Sequence, residues 1–152
     1  MSRTYRVLAI NPGSTSTKIT CFDDTTPVVE RNLSHSTDDL EAFPRLSDQR
    51  PFRRSAVTEA LAEAGVPLDS LDAVVGRGGL LHPLPGGTYA VNDRMLSDLA
   101  VGVLGEHASN LGGILAAEIA ETAGGVPAFI VDPVVVDELV DEARFSGIPA
   151  IP

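Results

Sequence analysis

The sequence predicts an α/β fold built on a mixed sheet, and three observations predict it. Three short runs rich in Val, Ile and Thr occupy residues 5–10, 17–22 and 27–33, separated by turn-forming stretches that contain Pro-Gly-Ser and Asp-Asp-Thr-Thr-Pro. Farther along, apolar residues recur at helical spacing. Between those helical stretches lie short, unbroken apolar runs bounded by Gly, Pro or Asp, the pattern of buried strands. The expected order is β-β-β-α-β-α-β-α, with a three-stranded antiparallel meander followed by crossover units and helices covering the sheet.

Each element has a local reason. The first helix is carried by Phe52, Ala56, Val57, Ala60, Leu61 and Ala64 and is ended by Gly65 and Pro67. A buried strand at residues 73–75 runs into Gly76-Arg77-Gly78-Gly79, and the Pro/Gly-rich "HPLPGGTY" then reads as an extended loop or small hairpin. A short helix is expected from Asn92, a good N-cap. Leu111, Ile114, Leu115, Ile119 and Ala123 mark a longer helix with Ser109 as its expected N-cap, and "PAFIVD" is another buried strand. A final helix is expected over "VVVDELVDEARF", followed by a loose "SGIPAIP". There are no repeats, low-complexity segments or internal linkers.

Composition narrows the function. A chain of 152 residues that is 43% apolar can bury the core of one ordinary domain. The net charge of −10 repels nucleic acid, and the few basic residues form no stripe. An anionic ligand must therefore meet a local positive spot. Arg3 and Arg6 precede an apolar run of only four residues, Val7 to Ile10, so the expectation is no signal peptide, no membrane partner and a cytoplasmic location. The single cysteine, Cys21, cannot form an intramolecular disulfide and reads as a small core residue.

The β-β-β-α-β-α-β-α order is that of the ribonuclease H-like lobe of actin-like ATPases. Four blocks are more specific: "NPGSTSTK", "VVGRGGLLHPLPGGTYAVN", "GEHASNLGGILA" and "FIVDPVVVDEL". Together they resemble the butyrate kinases of the acetokinase family, in the acetate and sugar kinase superfamily. The resemblance covers almost the whole chain and implies that residues 1–152 are an N-terminal ribonuclease H-like lobe, with the second lobe of the nucleotide site absent. It implies reversible phosphoryl transfer from ATP to the carboxylate of butyrate, giving butyryl phosphate and ADP, with Mg²⁺ as cofactor. It also implies that a full-length member forms a homo-oligomer. The isolated lobe would be inactive.

The resemblance assigns roles to residues. Asn11, Gly13, Ser14, Ser16 and Lys18 would form the phosphate-binding turn, with backbone N–H groups and hydroxyls toward ATP. A Walker loop is excluded, because Thr17 and Ile19 flank Lys18 where Gly and Ser or Thr are required. Standing alone, the turn also reads as an ordinary Ser/Thr-rich hairpin. Arg77 would clamp the acyl carboxylate, and Gly78 and Gly79 would leave space for a longer acyl chain. His107 would meet the phosphoryl group in transit, and Asp132, at a strand end, would sit near the metal with Asn11, directly or through water. Read without the resemblance, Arg77 is a surface arginine, His107 a surface or capping histidine, and Asp132 a turn cap. His35, His82, Asp137 and Glu138 are expected to be solvated. Two other functions remain open: another short- or branched-chain fatty acid kinase, and a non-catalytic anion-binding module retaining the fold.

Overall fold

A computed structural model describes residues 3–144. Strands β1 (Arg6–Pro12), β2 (Ser16–Asp23) and β3 (Thr26–Ser34) form the expected antiparallel meander. Helices α1 (Thr37–Glu41) and α2 (Arg50–Glu63) follow, then β4 (Ala73–Arg77), β5 (Thr88–Ala90), α3 (Asp93–Val101), α4 (Asn110–Thr122) and β6 (Ala128–Val131). The six strands lie in the order β3-β2-β1-β4-β6-β5. Strand β1 runs parallel to β4, and β4 parallel to β6. The meander is thus one wing of the sheet, and three parallel strands point their carboxyl ends at one edge.

Burial alternates along the strands, which separates the sheet's two faces. Leu8, Ile10, Ile19, Cys21, Val74 and Ile130 are fully or almost fully buried and form the core with Val57 and Leu61 of α2 and Leu111, Leu115 and Ile119 of α4. Their neighbours Ala9, Thr20, Val75 and Val131 are only half-buried, and Asn11, Lys18 and Arg77 are exposed. Among the described residues, then, helices α2 and α4 pack on one face and leave the other open. The register keeps the sets in line, pairing Leu8 with Cys21 and Val74, and Ile10 with Ile19 and Gly76.

Helix α4 sits unusually close to the sheet. A Cβ on Gly76 would overlap the carbonyl oxygen of Gly112, and a Cβ on Gly112 would overlap that of Arg77. The glycines allow backbone to touch backbone. Glu118 ties α4 to α2 through Arg50 Nε at 3.0 Å and Arg54 Nη1 at 3.5 Å. Helix α3 packs on α4, and its expected cap is present: Asn92 Oδ1 accepts the Met95 N–H at 2.9 Å. Ser109 precedes α4 but does not cap it with its side chain.

The structure differs from the expected order at three places, the first being the short helix α1 that precedes α2. The "HPLPGGTY" stretch contributes an edge strand, since β5 pairs with β6. The closing helix over residues 134–145 does not form within the described residues, which hold a short turn and a single 3-10 turn at Asp141–Arg144. Phe145 and "SGIPAIP" lie outside the described residues. A helix there would align Asp137 with Asp141 and Glu138 with Glu142, two like-charge pairs four residues apart. It would begin with three β-branched valines and bury little, because Leu139 and Val140 remain exposed.

Replacing Gly112 by Ala separates propensity from packing. Intrinsic helix propensity favours Ala by about 1 kcal/mol. The added methyl, however, must push α4 off β4, and overpacking costs about 1–3 kcal/mol or more. Urea unfolding of Gly112→Ala should therefore give a lower midpoint than wild type; an equal or higher midpoint would show that the contact is not tight.

Candidate functional site

The strand ends build a cleft on the open face of the sheet. Its volume is about 430 Å³, and Asn11, Lys18, Arg77 and Asp132 line it with Ala9, Ile10, Thr20, Val75, Gly76 and Val131. The convergence follows from register. Asn11 pairs with Lys18 across β1 and β2, Ile10 with Gly76 across β1 and β4, and Arg77 with Val131 across β4 and β6. Four polar groups, separated by up to 121 positions in sequence, therefore meet at one edge.

Asp132 is held in a particular conformation. Its φ of 42° is left-handed, a region that Asp tolerates better than most residues. Its N–H donates to Gly87 O at 3.1 Å, and its Oδ1 accepts the Gly87 N–H at 2.9 Å. That clasp fixes the carboxylate at the cleft. Lys18 meets Glu30 on β3 at 2.9 Å, with both side chains more than half exposed. Such a pair is worth little to stability, so the ammonium can exchange partners readily.

A second depression, of about 510 Å³, shares Asn11 and Lys18 with the cleft and adds Gly13, Ser16, Glu30, Arg31 and Asn32. Ser14 and His107 line neither. The Ser14 carbonyl instead accepts from Arg53 Nη2 at 3.1 Å. His107 is exposed; its Nδ1 accepts the Ser109 N–H at 3.2 Å and lies 2.7 Å from Ser109 Oγ. In its neutral form the ring then carries its proton on Nε2.

Gly78 and Gly79 do not open space. A Cβ on Gly78 would lie 2.6 Å from Pro133 Cα, and one on Gly79 would lie 2.6 Å from Asn110 Cα. Both are buried where β4 passes under α4 and the chain after β6. Asn110, itself buried, fixes this turn by accepting the Leu80 N–H at 2.8 Å and donating to Gly105 O at 2.9 Å. The expected room for acyl chain is thus filled by protein.

Beneath the turn between β1 and β2 lies a polar cluster that the sequence reading passed over. Arg53 is fully buried. Its Nη1 donates to Ser16 O and Thr17 Oγ1, both at 3.0 Å, and its Nε donates to Gln49 Oε1 at 3.0 Å. With that proton accepted, the Thr17 hydroxyl can donate to His35 Nε2 at 2.9 Å. His35, expected in solvent, is buried against Phe52, ring edge to ring face, with centroids 5.1 Å apart. His82, Asp137 and Glu138 are exposed, as expected. One signal was available for Arg53: it stands four residues from both Gln49 and Val57, on the apolar stripe of α2 rather than its solvent face.

No protein-family model matches the sequence. Relatives nevertheless do. The chain is 57% identical over 148 residues to butyrate kinase 1 of Clostridium acetobutylicum and 55% identical to butyrate kinase 2 of the same organism. The chain is similar to the N-terminal lobe of butyrate kinases. Each alignment covers 97% of this chain, which spans 41% of each relative's length. Among solved structures, acetate kinase of Porphyromonas gingivalis has a TM-score of 0.53 at 14% identity, covering 84% of this chain and 37% of its own. Acetate kinase of Entamoeba histolytica has a TM-score of 0.52 at 16% identity, covering 95% of this chain and 39% of its own. These likenesses show the fold alone, the mixed α/β fold of acetate kinases.

No helix of the described residues is long and apolar enough to cross a membrane. Among them, no group of three or more His, Cys, Asp and Glu side chains is gathered for a metal. Asn11 and Asp132 do offer hard oxygen donors in one cleft, a set that suits Mg²⁺, which keeps much of its water.

The buried histidine sets a pH dependence. Burial, and then repulsion from Arg53, pushes the His35 imidazole below its ordinary range, with Asp39 opposing. The native ring stays neutral where the unfolded ring takes a proton, at about pH 6.5 and below. His35 therefore contributes stability that is present above about pH 6.5 and is lost as pH falls toward the folded-state value. Urea midpoints measured from pH 7.5 down to 5 should fall for wild type and fall less for His35→Gln. Identical slopes would remove His35 as the cause. Asp23 and Asp72, lowered by Arg6, act in a separate and more acidic window.

Proposed function

We propose that this chain is the nucleophile- and phosphate-binding lobe of a butyrate kinase, which transfers the γ-phosphoryl group of ATP reversibly to the carboxylate of butyrate. The observation that carries the reading is the meeting of Asn11, Lys18, Arg77 and Asp132 in one cleft at the carboxyl ends of parallel strands. Identity to butyrate kinases supports the choice of acceptor. The second lobe would supply the remainder of the ATP site, and the complete protein would act as a homo-oligomer in the cytoplasm.

The chemistry asks for alignment and charge neutralisation rather than a strong base, because a carboxylic acid is already ionised at neutral pH. Arg77 would grip one face of the carboxylate with two parallel hydrogen bonds and present an oxygen to the γ-phosphorus. As that oxygen bonds, the bond from phosphorus to the bridging oxygen breaks and its electron pair leaves on ADP; no proton need move. Lys18 would leave Glu30 for the phosphate oxygens, and Ser14 and Ser16 would support them from the turn. Bound Mg²⁺, held by Asn11 and Asp132 directly or through water, would neutralise phosphate charge.

His107 has a more distant part in this reading. Outside the cleft in this lobe, it would reach the transferring phosphoryl group once substrates and the second lobe close the site. Its Nε2–H is the group available to donate to an equatorial oxygen.

The decisive measurement joins this chain to the remaining portion of a butyrate kinase relative and traps butyryl phosphate as its hydroxamate. ATP- and Mg²⁺-dependent product is expected. Arg77→Lys should lower kcat/KM for butyrate about a hundredfold while the KM for ATP stays within about twofold, because charge is retained and two-point geometry is lost. Equal losses for both substrates would move Arg77 to the phosphates, and an unchanged enzyme would remove it from the site. His107→Ala should abolish most of the turnover without weakening butyrate binding.

A further inference from the structure

We propose that Arg53 is a positioning residue for the anion-binding turn, gripping residues 14–17 from the core side so that the turn's amides face outward while a positive charge stands behind them. This inference rests on the phosphate-binding reading above and deepens it. Arg53 is fully buried, yet no ion pair among the described residues joins it to an acid. Its partners are neutral: the carbonyls of Ser14 and Ser16, the hydroxyl of Thr17 and the amide of Gln49. A buried cation without a counter-ion is a standing penalty in a core, tolerated where its donors are satisfied. Arginine cannot escape that penalty by losing its proton.

Its geometry gives the charge a use. A trans peptide points its C=O and the next N–H in opposite directions. Arg53 fixes the Ser14 carbonyl inward, so the Thr15 N–H is turned away from the core, on an exposed stretch of the turn. The turn is braced further, because Thr15 O accepts the His35 N–H at 2.8 Å and Ser16 O accepts the Gly13 N–H at 2.7 Å. Three successive carbonyls are therefore held, and the turn cannot flip a peptide to present oxygen to an incoming anion. On the other side, Lys18 already has Glu30 as a partner. Arg53 stands directly beneath the turn and is joined to no described carboxylate by an ion pair, so its field remains for the ligand.

Inorganic pyrophosphate titrated into this chain, followed by backbone amide resonances, tests the proposal. In wild type the Thr15 and Ser16 amides should shift. Arg53→Lys, which keeps charge but loses the multi-point grip, should raise the pyrophosphate Kd about tenfold, the loss of one charge-assisted hydrogen-bond pair. Amide exchange in β1 and β4 should stay as in wild type, which separates positioning from general damage. Gln49→Leu leaves the guanidinium in place and frees only its Nε, so it should raise the Kd about threefold and gives a second reading if Arg53→Lys does not fold. Wild-type affinity in both variants would overturn the positioning role alone. Absence of any pyrophosphate-induced shift in the wild-type turn would overturn the anion-binding reading, and this inference with it.

Discussion

The backbone of β4 touches the backbone of α4 at Gly76 and Gly112, and the architecture of the described residues is arranged around that contact. Two chains of peptide groups come this close only where neither carries a Cβ. Because α4 is seated so deeply, its first two turns are buried on nearly every side, from Asn110 through Ala116. Helix α3 rests on it, α2 is tied to it through Glu118, and the turn after β4 is pinned by Asn110. The helical layer is thereby committed to one face of the sheet.

That commitment makes the site. With the helices on one face, strand alternation sends Ala9, Asn11, Lys18, Thr20, Val75, Arg77 and Val131 to the other, where described elements leave a cleft open. The same alternation turns Thr17 into the core, between Arg53 and His35, while Ser16 and Lys18 on either side of it line the outer depression. The turn is polar above and polar below for different reasons. Above, hydroxyls and an ammonium line an open depression; below, a buried guanidinium donates to the Ser14 and Ser16 carbonyls. The neighbouring His35 imidazole is pushed below its ordinary range first by its own burial and then by repulsion from that guanidinium.

Much of this was legible in advance, and the exceptions share a cause. The three meander strands, the α2 and α4 stripes, the Asn92 cap and the polar strand ends are local signals of periodicity or turn chemistry. The closing helix over residues 134–145 was misread because a run of apolar and acidic residues resembles an amphipathic helix. Its like-charge spacing and exposed Leu139 and Val140 weigh against one. Gly78 and Gly79 were read as open space when they mark close packing, an ambiguity inherent in glycine: a missing side chain is equally consistent with room and with a neighbour filling it. His35 was misjudged, and Arg53 passed over, because polarity predicts exposure only when no partners wait in the core.

By itself, the sequence determined the elements and the inventory of polar residues, because those depend on neighbours within a few positions. It also carried the likeness to butyrate kinases, which needs no folding argument. Tertiary structure alone decided which of those residues meet. Asn11, Lys18, Arg77 and Asp132 converge because β1, β4 and β6 pair in parallel with a fixed register, while Ser14 and His107 fall outside the cleft. It also decided that Arg53 turns inward to hold the turn at residues 14–17 from below. Register, helix seating and burial are long-range properties, set when residues tens of positions apart exclude water together, and no local pattern encodes which side of a strand will face the helices.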